Sequence, residues 1–254
     1  RPTGLGFGDR RAKRAPFPKL AALDDDRVRG HVLHFFANHE LLALELMALT
    51  LLRFPNAPSR FRRTLVSTMR DEQKHMKLYR SRMASLGVQF GDIPVNGFFW
   101  SVIASMESPK DFVARMSLTF EQANLDFSLY FRDAFRKIGD VDSADIMHQV
   151  LVDEVRHVKH GLEYFERWHN PKISLWQSHQ DALPFPLSPA RAKGSVLFTH
   201  TFRQEAGLPN DYIDRLKLYQ HSKGRSPTVY VFNPMAESRL IGQKVHSALS
   251  ELEV

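Results

Sequence analysis

The 254-residue sequence contains no cysteine. That single absence excludes disulfides, thiolate metal ligands and cysteine nucleophiles together. Any metal here has to be held by carboxylates and by the 12 histidines. No uninterrupted apolar run reaches the ~18–20 residues that a membrane span requires. The opening stretch RPTGLGFGDRRAKR also lacks the apolar centre of a signal peptide. These absences lead to the expectation of a cytoplasmic protein with no membrane association. Negative charge is the scarcer sign, leaving a net charge of +7. Residues 1–20 hold Arg1, Arg10, Arg11, Lys13, Arg14 and Lys19 against Asp9. Such an arm is either a solvated terminus or a contact for a phosphate backbone such as RNA.

Proline and glycine are sparse inside long stretches and concentrated between them, which divides the chain. Residues 1–26 read as an extended basic arm. From Arg27 the pattern is helical up to Pro55, and again from about Ser59 to Gly87. Gly91, Pro94 and Gly97 mark a long crossover containing GFFWSVIASM, which suits a short helix. Ser108 followed by Pro109 is an N-cap signature for a third long helix, closed at Gly139. A fourth runs from an Asp/Ser cap to Asn170-Pro171. The expected fold is all-α: a four-helix bundle over 27–170 with a long crossover between its second and third helices. Residues 171–254, with the Pro-rich LPFPLSPARAKG, two short helical patterns and a strand-like TVYVFNP, read as an extension wrapping that bundle.

Two nearly identical pentapeptides lie within the apolar helical stretches, DEQKH at 71–75 and DEVRH at 153–157. Steps of three and four residues place Glu72 and His75 on the apolar side of one helix, and Glu154 and His157 on that of another. The other two helices each bring an acid into their apolar stripe, Glu40 beside Phe36 and Ala43, and Glu121 beside Leu118 and Leu125. Glu40 precedes Glu72 by 32 residues and Glu121 precedes Glu154 by 33. HELLALE at 39–45 also parallels FEQANLD at 120–126. The chain therefore reads as a duplicated helical hairpin, each copy offering Glu plus Glu-x-x-His.

Four carboxylates converging in a core repel one another unless cations join them. Two divalent metals satisfy all six groups, each taking one imidazole and one terminal carboxylate while two carboxylates bridge. Oxygen donors with imidazole suit iron or manganese, so an iron pair is expected ahead of an iron/manganese pair. Chance supplies about half of one Glu-x-x-His match in a chain of this composition, and three occur. The third, Glu166 with His169, lies at a helix end rotated by about 120° from the Glu154 pair and is set aside. Asp71 and Asp153 are placed to accept the second N–H of a ligating histidine, across to the opposite pair. Lys74 and Arg156 are placed to balance those acids, or else are ordinary exposed charge. The bland alternative for the whole set is a group of salt-bridged buried carboxylates. His39, His160 and Tyr79 flank the motifs and read as local packing, with Glu45 a weaker competitor for the Glu40 role and Asp126 its counterpart.

These residues resemble the non-haem di-iron carboxylate proteins of the ferritin-like superfamily, which include bacterial multicomponent monooxygenases and a tRNA hydroxylase. NHELLALEL, DEQKH, FEQANLD, DEVRH and LPFPLSPARAKG together are most similar to the bacterial family catalogued as domain of unknown function 455. That resemblance spans roughly 27–240 and implies a ferritin-like bundle. One departure is FEQANLD, where the family tends toward an Arg-Gly between the two acids and this chain has Gln122, Ala123 and Asn124. The implied activity is that of an O2-activating oxidase or hydroxylase with a small-molecule substrate and an external electron donor. The other readings are a non-enzymatic iron store and an RNA-directed hydroxylase using the basic arm. The oligomeric state stays open, a dimer included.

Overall fold

The connection 54–58 is too short to do anything but fold the chain back on itself. In the computed structural model, which describes Leu5 and residues 20–220, it joins α1 (Asp26–Arg53) to α2 (Ser59–Ser85). The antiparallel sense is visible in the side-chain pairs: Phe36 stacks on Tyr79, and Glu40 meets His75 four residues further in but four residues back on α2. Asp25 caps α1, accepting from the backbone N–H of Arg27 at 2.8 Å, and Pro55 prevents continuation.

The crossover carries a short helix, α3 (Phe98–Ile103). It is fastened to α1 by Trp100, whose indole N–H donates to Glu45 at 2.8 Å. The third long segment differs from the continuous helix expected. It is built as α4 (Pro109–Arg115), a π-helical segment at Met116–Glu121, and α5 (Gln122–Lys137). Ser108 and Asp111 form a reciprocal capping box at its start. Gly139, at φ +80°, turns the chain into α6 (Val141–Trp168), whose cap Asp140 accepts from Ser143 N–H at 3.0 Å. Ser117 opposite Gly161 and Asn124 opposite Glu154 give this second hairpin the same antiparallel sense.

The two hairpins pack with α2 against α6, and the described residues are all-helical or irregular, with no strand. The extension continues as α7 (Leu175–Asp181), a 3-10 turn at Pro189–Ala192, α8 (Thr201–Glu205) and α9 (Asn210–Leu218). The turn lies against the π segment, and α8 against α5 and α6. The arm before residue 20 (Leu5 apart) and the strand-like TVYVFNP lie outside the described residues.

Helix α1 is long and apolar enough to cross a membrane by length and composition, although half of its most apolar stretch is buried inside the protein. The apolar core is divided in two. One cluster joins Val32, Phe36, Tyr79, Phe131 and Met147, and the other joins Leu42, Leu46, Phe61, Leu65, Leu151 and Val158. Glu40 falls between them on α1, Glu72 and His75 on α2, and Glu154 and His157 lie beside the division on α6.

Candidate metal centre

The structure brings Glu40, Glu72, His75, Glu121, Glu154 and His157 together, and every one is buried. One candidate ligand atom from each of Glu40, Glu72 and His75 lies within 4.8 Å of the others, as do those of Glu72, Glu121 and His157. Glu72 belongs to both groups. His75 Nδ1 is 3.0 Å from Glu72 and 3.9 Å from Glu40. His157 Nδ1 is 3.4 Å from Glu72 and 3.6 Å from Glu154. The two rings are 6.2 Å apart, centroid to centroid.

Both imidazoles therefore turn Nδ1 inward, and each Nε2 points at an acid of the other hairpin. His75 Nε2 is 3.0 Å from Asp153, and His157 Nε2 is 3.3 Å from Asp71. Arg156 donates to Asp153 at 2.7 Å and to Asp71 at 3.0 Å, while Lys74 stands 3.7 Å from Asp153. Gln149 gives Asp153 another donor, at 2.9 Å. Asp153 is held below the usual carboxylate range: burial pushes it up, but His75, Gln149 and Arg156 outweigh that. Asp71 is likewise lowered, chiefly by its bond with His157. An acid fixed as an acceptor holds the facing nitrogen as N–H, so Nδ1 is the nitrogen of each ring left to bind a cation.

The inward carboxylates behave in the opposite way. Burial, reinforced by the charge of Glu40, pushes Glu72 up to about 7. Burial pushes Glu121 up to about 8, with His157 opposing and Glu154 and Glu72 adding to the rise. Glu154 is raised too, mainly by burial. Burial alone would lower His75 and His157, yet the surrounding carboxylates raise both. Burial and mutual repulsion thus favour the protonated forms of these groups, a preference that a bound cation would oppose. Among the six residues of the cluster, His157 Nδ1 and Glu154 Oε2 make no hydrogen bond, and they face each other at 3.6 Å. An imidazole nitrogen and a carboxylate oxygen, buried and aimed at one space among other oxygens, fit a divalent cation held by oxygen and imidazole.

Of the flanking residues, His39 stacks on Phe99 at 4.8 Å and is lowered to about 4 by burial. Tyr79 donates to Met147 Sδ at 3.6 Å. Glu45 binds Trp100, on the crossover rather than in the cluster. His160 is half-buried on α6, its pKa lowered by burial. Glu166 is exposed, and His169 Nδ1 lies 3.3 Å from Ser178. Asp126 is fully enclosed and bound by Arg203 of α8 through two bonds of 2.7 and 2.8 Å. Sequence reasoning missed Asn124, whose amide donates to Glu154 Oε1 at 2.7 Å. Its one available signal was the departure at 122–124 from the family pattern. Nothing in the sequence pointed to Arg203, His179 and Tyr212, which lie buried against the third segment.

No curated protein and no solved structure matches the chain significantly. Residues 9–214 match the family model described as "Protein of unknown function (DUF455)", and the chain belongs to that family.

Proposed function

We propose that the protein is a ferritin-like, non-haem dimetal carboxylate protein that activates O2 as an oxidase or hydroxylase. Glu40, Glu72 and His75 would hold one metal, and Glu121, Glu154 and His157 the other. Glu72, within reach of both histidines, is suited to bridge. An iron pair is the favoured loading, with iron/manganese as the alternative. The observation that carries this reading is the pair of inward Nδ1 atoms, each fixed from behind by a carboxylate of the opposite hairpin.

When bound and reduced by an external donor, the metals supply the electrons that activate O2 for oxidation of a nearby C–H or N–H bond. The protein's own contribution is orientation and exclusion of water. Asp71 and Asp153 set the imidazole planes, Asn124 sets Glu154, and the apolar clusters on either side keep solvent out. Low local polarity strengthens every charge interaction at the centre.

The test is metal content by mass spectrometry on protein produced with iron and manganese both available, followed by O2 uptake with a chemical reductant. About two metals per chain, iron among them, with O2 consumption supports the reading. Metal without O2 consumption favours the iron-store alternative. Protein that refuses ferrous iron under anaerobic conditions overturns both.

One observation favours an RNA-directed variant of this activity. The outer face of α2 exposes Arg60, Arg62, Arg63, Arg70, Lys74, Lys77 and Arg80, and no acid of that helix is exposed. Arg63, Arg70 and Lys77, spaced by seven, share one side of the helix over about 21 Å. That face suits a phosphate backbone.

A further inference from the structure

The π segment has a structural cost that something must offset. It inserts one extra residue into the third long segment, so everything after it is rotated by about 100° relative to a regular helix. Only with that rotation do Phe112 and Val113 stay in the core while Glu121 faces Glu72 and Asn124 faces Glu154. The widened turn also disturbs the backbone ladder. Gln122 N–H reaches back five residues to Ser117, and the carbonyls of Ala114 and Leu118 accept from side chains.

One of those side chains, His179, comes from the extension, and the other two, Thr119 and Gln122, are tied to it. His179 of α7 has its Nε2 3.2 Å from Ala114 O and 3.1 Å from Thr119 Oγ1, and Thr119 itself donates to Ala114 O at 2.8 Å. Because Nε2 faces a carbonyl it carries the proton, so Nδ1 accepts from the Tyr212 hydroxyl of α9 at 2.7 Å. Burial lowers His179 to about 4, which keeps it in this neutral form. The Tyr212 oxygen then needs a donor. With its amide oriented by the network, Gln122 Nε2 donates to Tyr212 at 3.2 Å and to Leu118 O at 2.7 Å, while its oxygen accepts from Arg203 Nε at 3.3 Å. Arg203 closes the chain by clamping Asp126, four residues further along α5, which also accepts from Gly194 and Thr199 N–H at 2.8 Å each. His179, Tyr212, Gln122, Thr119 and Arg203 are all completely buried.

We propose that His179, Tyr212 and Arg203 are positioning residues that hold the π segment in its widened form and thereby aim Glu121 into the candidate centre. This rests on the dimetal reading for its consequence, though the clamp on the π segment stands apart from it. On this view the extension is a strut for one of the two metal positions. The other position, made by Glu40, Glu72 and His75, touches none of these groups.

Two measurements on Tyr212→Phe, His179→Leu and His179→Gln test the proposal. Hydrogen exchange followed by mass spectrometry should show amides of 114–122 exchanging about tenfold faster in the first two variants, the factor a lost hydrogen bond carries. Peptides from α1 and α2 should be unchanged. His179→Gln, whose amide can both donate to Ala114 O and accept from Tyr212, should stay near wild type. In an anaerobic Co(II) titration the wild type should take up two equivalents. Tyr212→Phe and His179→Leu should retain one and bind the other about tenfold more weakly. Unchanged exchange over 114–122, or an equal rise across all helices, overturns the clamp. Selective exchange with both equivalents bound as in wild type overturns its role in aiming Glu121. Failure of the wild type to bind Co(II) removes the dimetal reading, while the exchange data still decide the clamp.

Discussion

Replacing Gly161 by alanine tests how closely α6 approaches the π segment. In a regular exposed helix this change is favourable by about 1 kcal/mol, because alanine loses less backbone freedom. Here the added Cβ would stand 2.1 Å from Ser117 Cβ and 2.7 Å from its Oγ. Ser117 Cβ is fixed to the backbone and cannot rotate away, so the two helices must separate or the π segment must shift. Overpacking of this kind costs about 1–3 kcal/mol, and a 2.1 Å approach lies at the severe end. Taking about 3 against a gain of about 1 leaves Gly161→Ala destabilised by about 2 kcal/mol. At about 2–4 °C per kcal/mol for a chain of this size, Tm should fall by about 4–8 °C. The double variant Ser117→Gly/Gly161→Ala removes the clashing atoms and leaves only Ser117's Cα position, 3.6 Å away. It should recover most of the loss, with a coupling of about 3 kcal/mol, the whole clash term, in the double-mutant cycle. Thermal unfolding followed by circular dichroism measures all four proteins. A Tm that rises in Gly161→Ala, or a double variant no better than the single, would refute the close approach.

Glu154→Ala should lose stoichiometric ferrous iron measured by anaerobic titration, whereas Glu166→Ala should bind as wild type; retained stoichiometry after losing Glu154 would remove it from the ligand set. His179 gives a pH dependence with a definite sign. Its folded pKa, about 4, lies below the ordinary 6.5, so the unfolded chain binds the extra proton first and stability falls as pH drops from 6.5 toward 4. The slope approaches about 1.4 kcal/mol per pH unit, and denaturant unfolding of His179→Gln should show a shallower acid limb across that window. Charge reversal at Arg63, Arg70 and Lys77 together should abolish salt-sensitive binding of single-stranded RNA in a fluorescence anisotropy assay. If wild type shows no RNA binding at low salt, the α2 face is a solvated surface and the RNA-directed variant falls.

Much of this architecture is legible from residue spacing. Ser108 begins a helix for the capping reason its side chain suggests, and Gly87 and Gly139 each end one, whereas α6 is capped by Asp140, two residues before the Asp142-Ser143 pair that the sequence suggested. The convergence of Glu72, His75, Glu154 and His157 follows from one-turn spacing on apolar faces. The π segment was not legible, because MSLTFE differs in no composition or period from a helix, and its cause lies some 60–90 residues away in His179 and Tyr212. Arg203 was hidden for a related reason. An arginine in a short segment reads as surface charge until its partner, Asp126, is seen enclosed beside it. Gly161 gave no sign either, since a glycine within a helix does not say which neighbour it admits.

The crossed bonds from His75 to Asp153 and from His157 to Asp71 also order events in time. Each hairpin is local in sequence and can form early, but alone it carries an imidazole with no acid behind it to choose its tautomer. The oriented pair exists only once both hairpins have docked, a step whose contacts span about 80 residues. A cation arriving before that meets two mobile histidines. On the proposed dimetal reading, one arriving afterwards would meet a finished chelate, and ligation would report completed docking. Slow metal capture after refolding would then measure the docking rate itself.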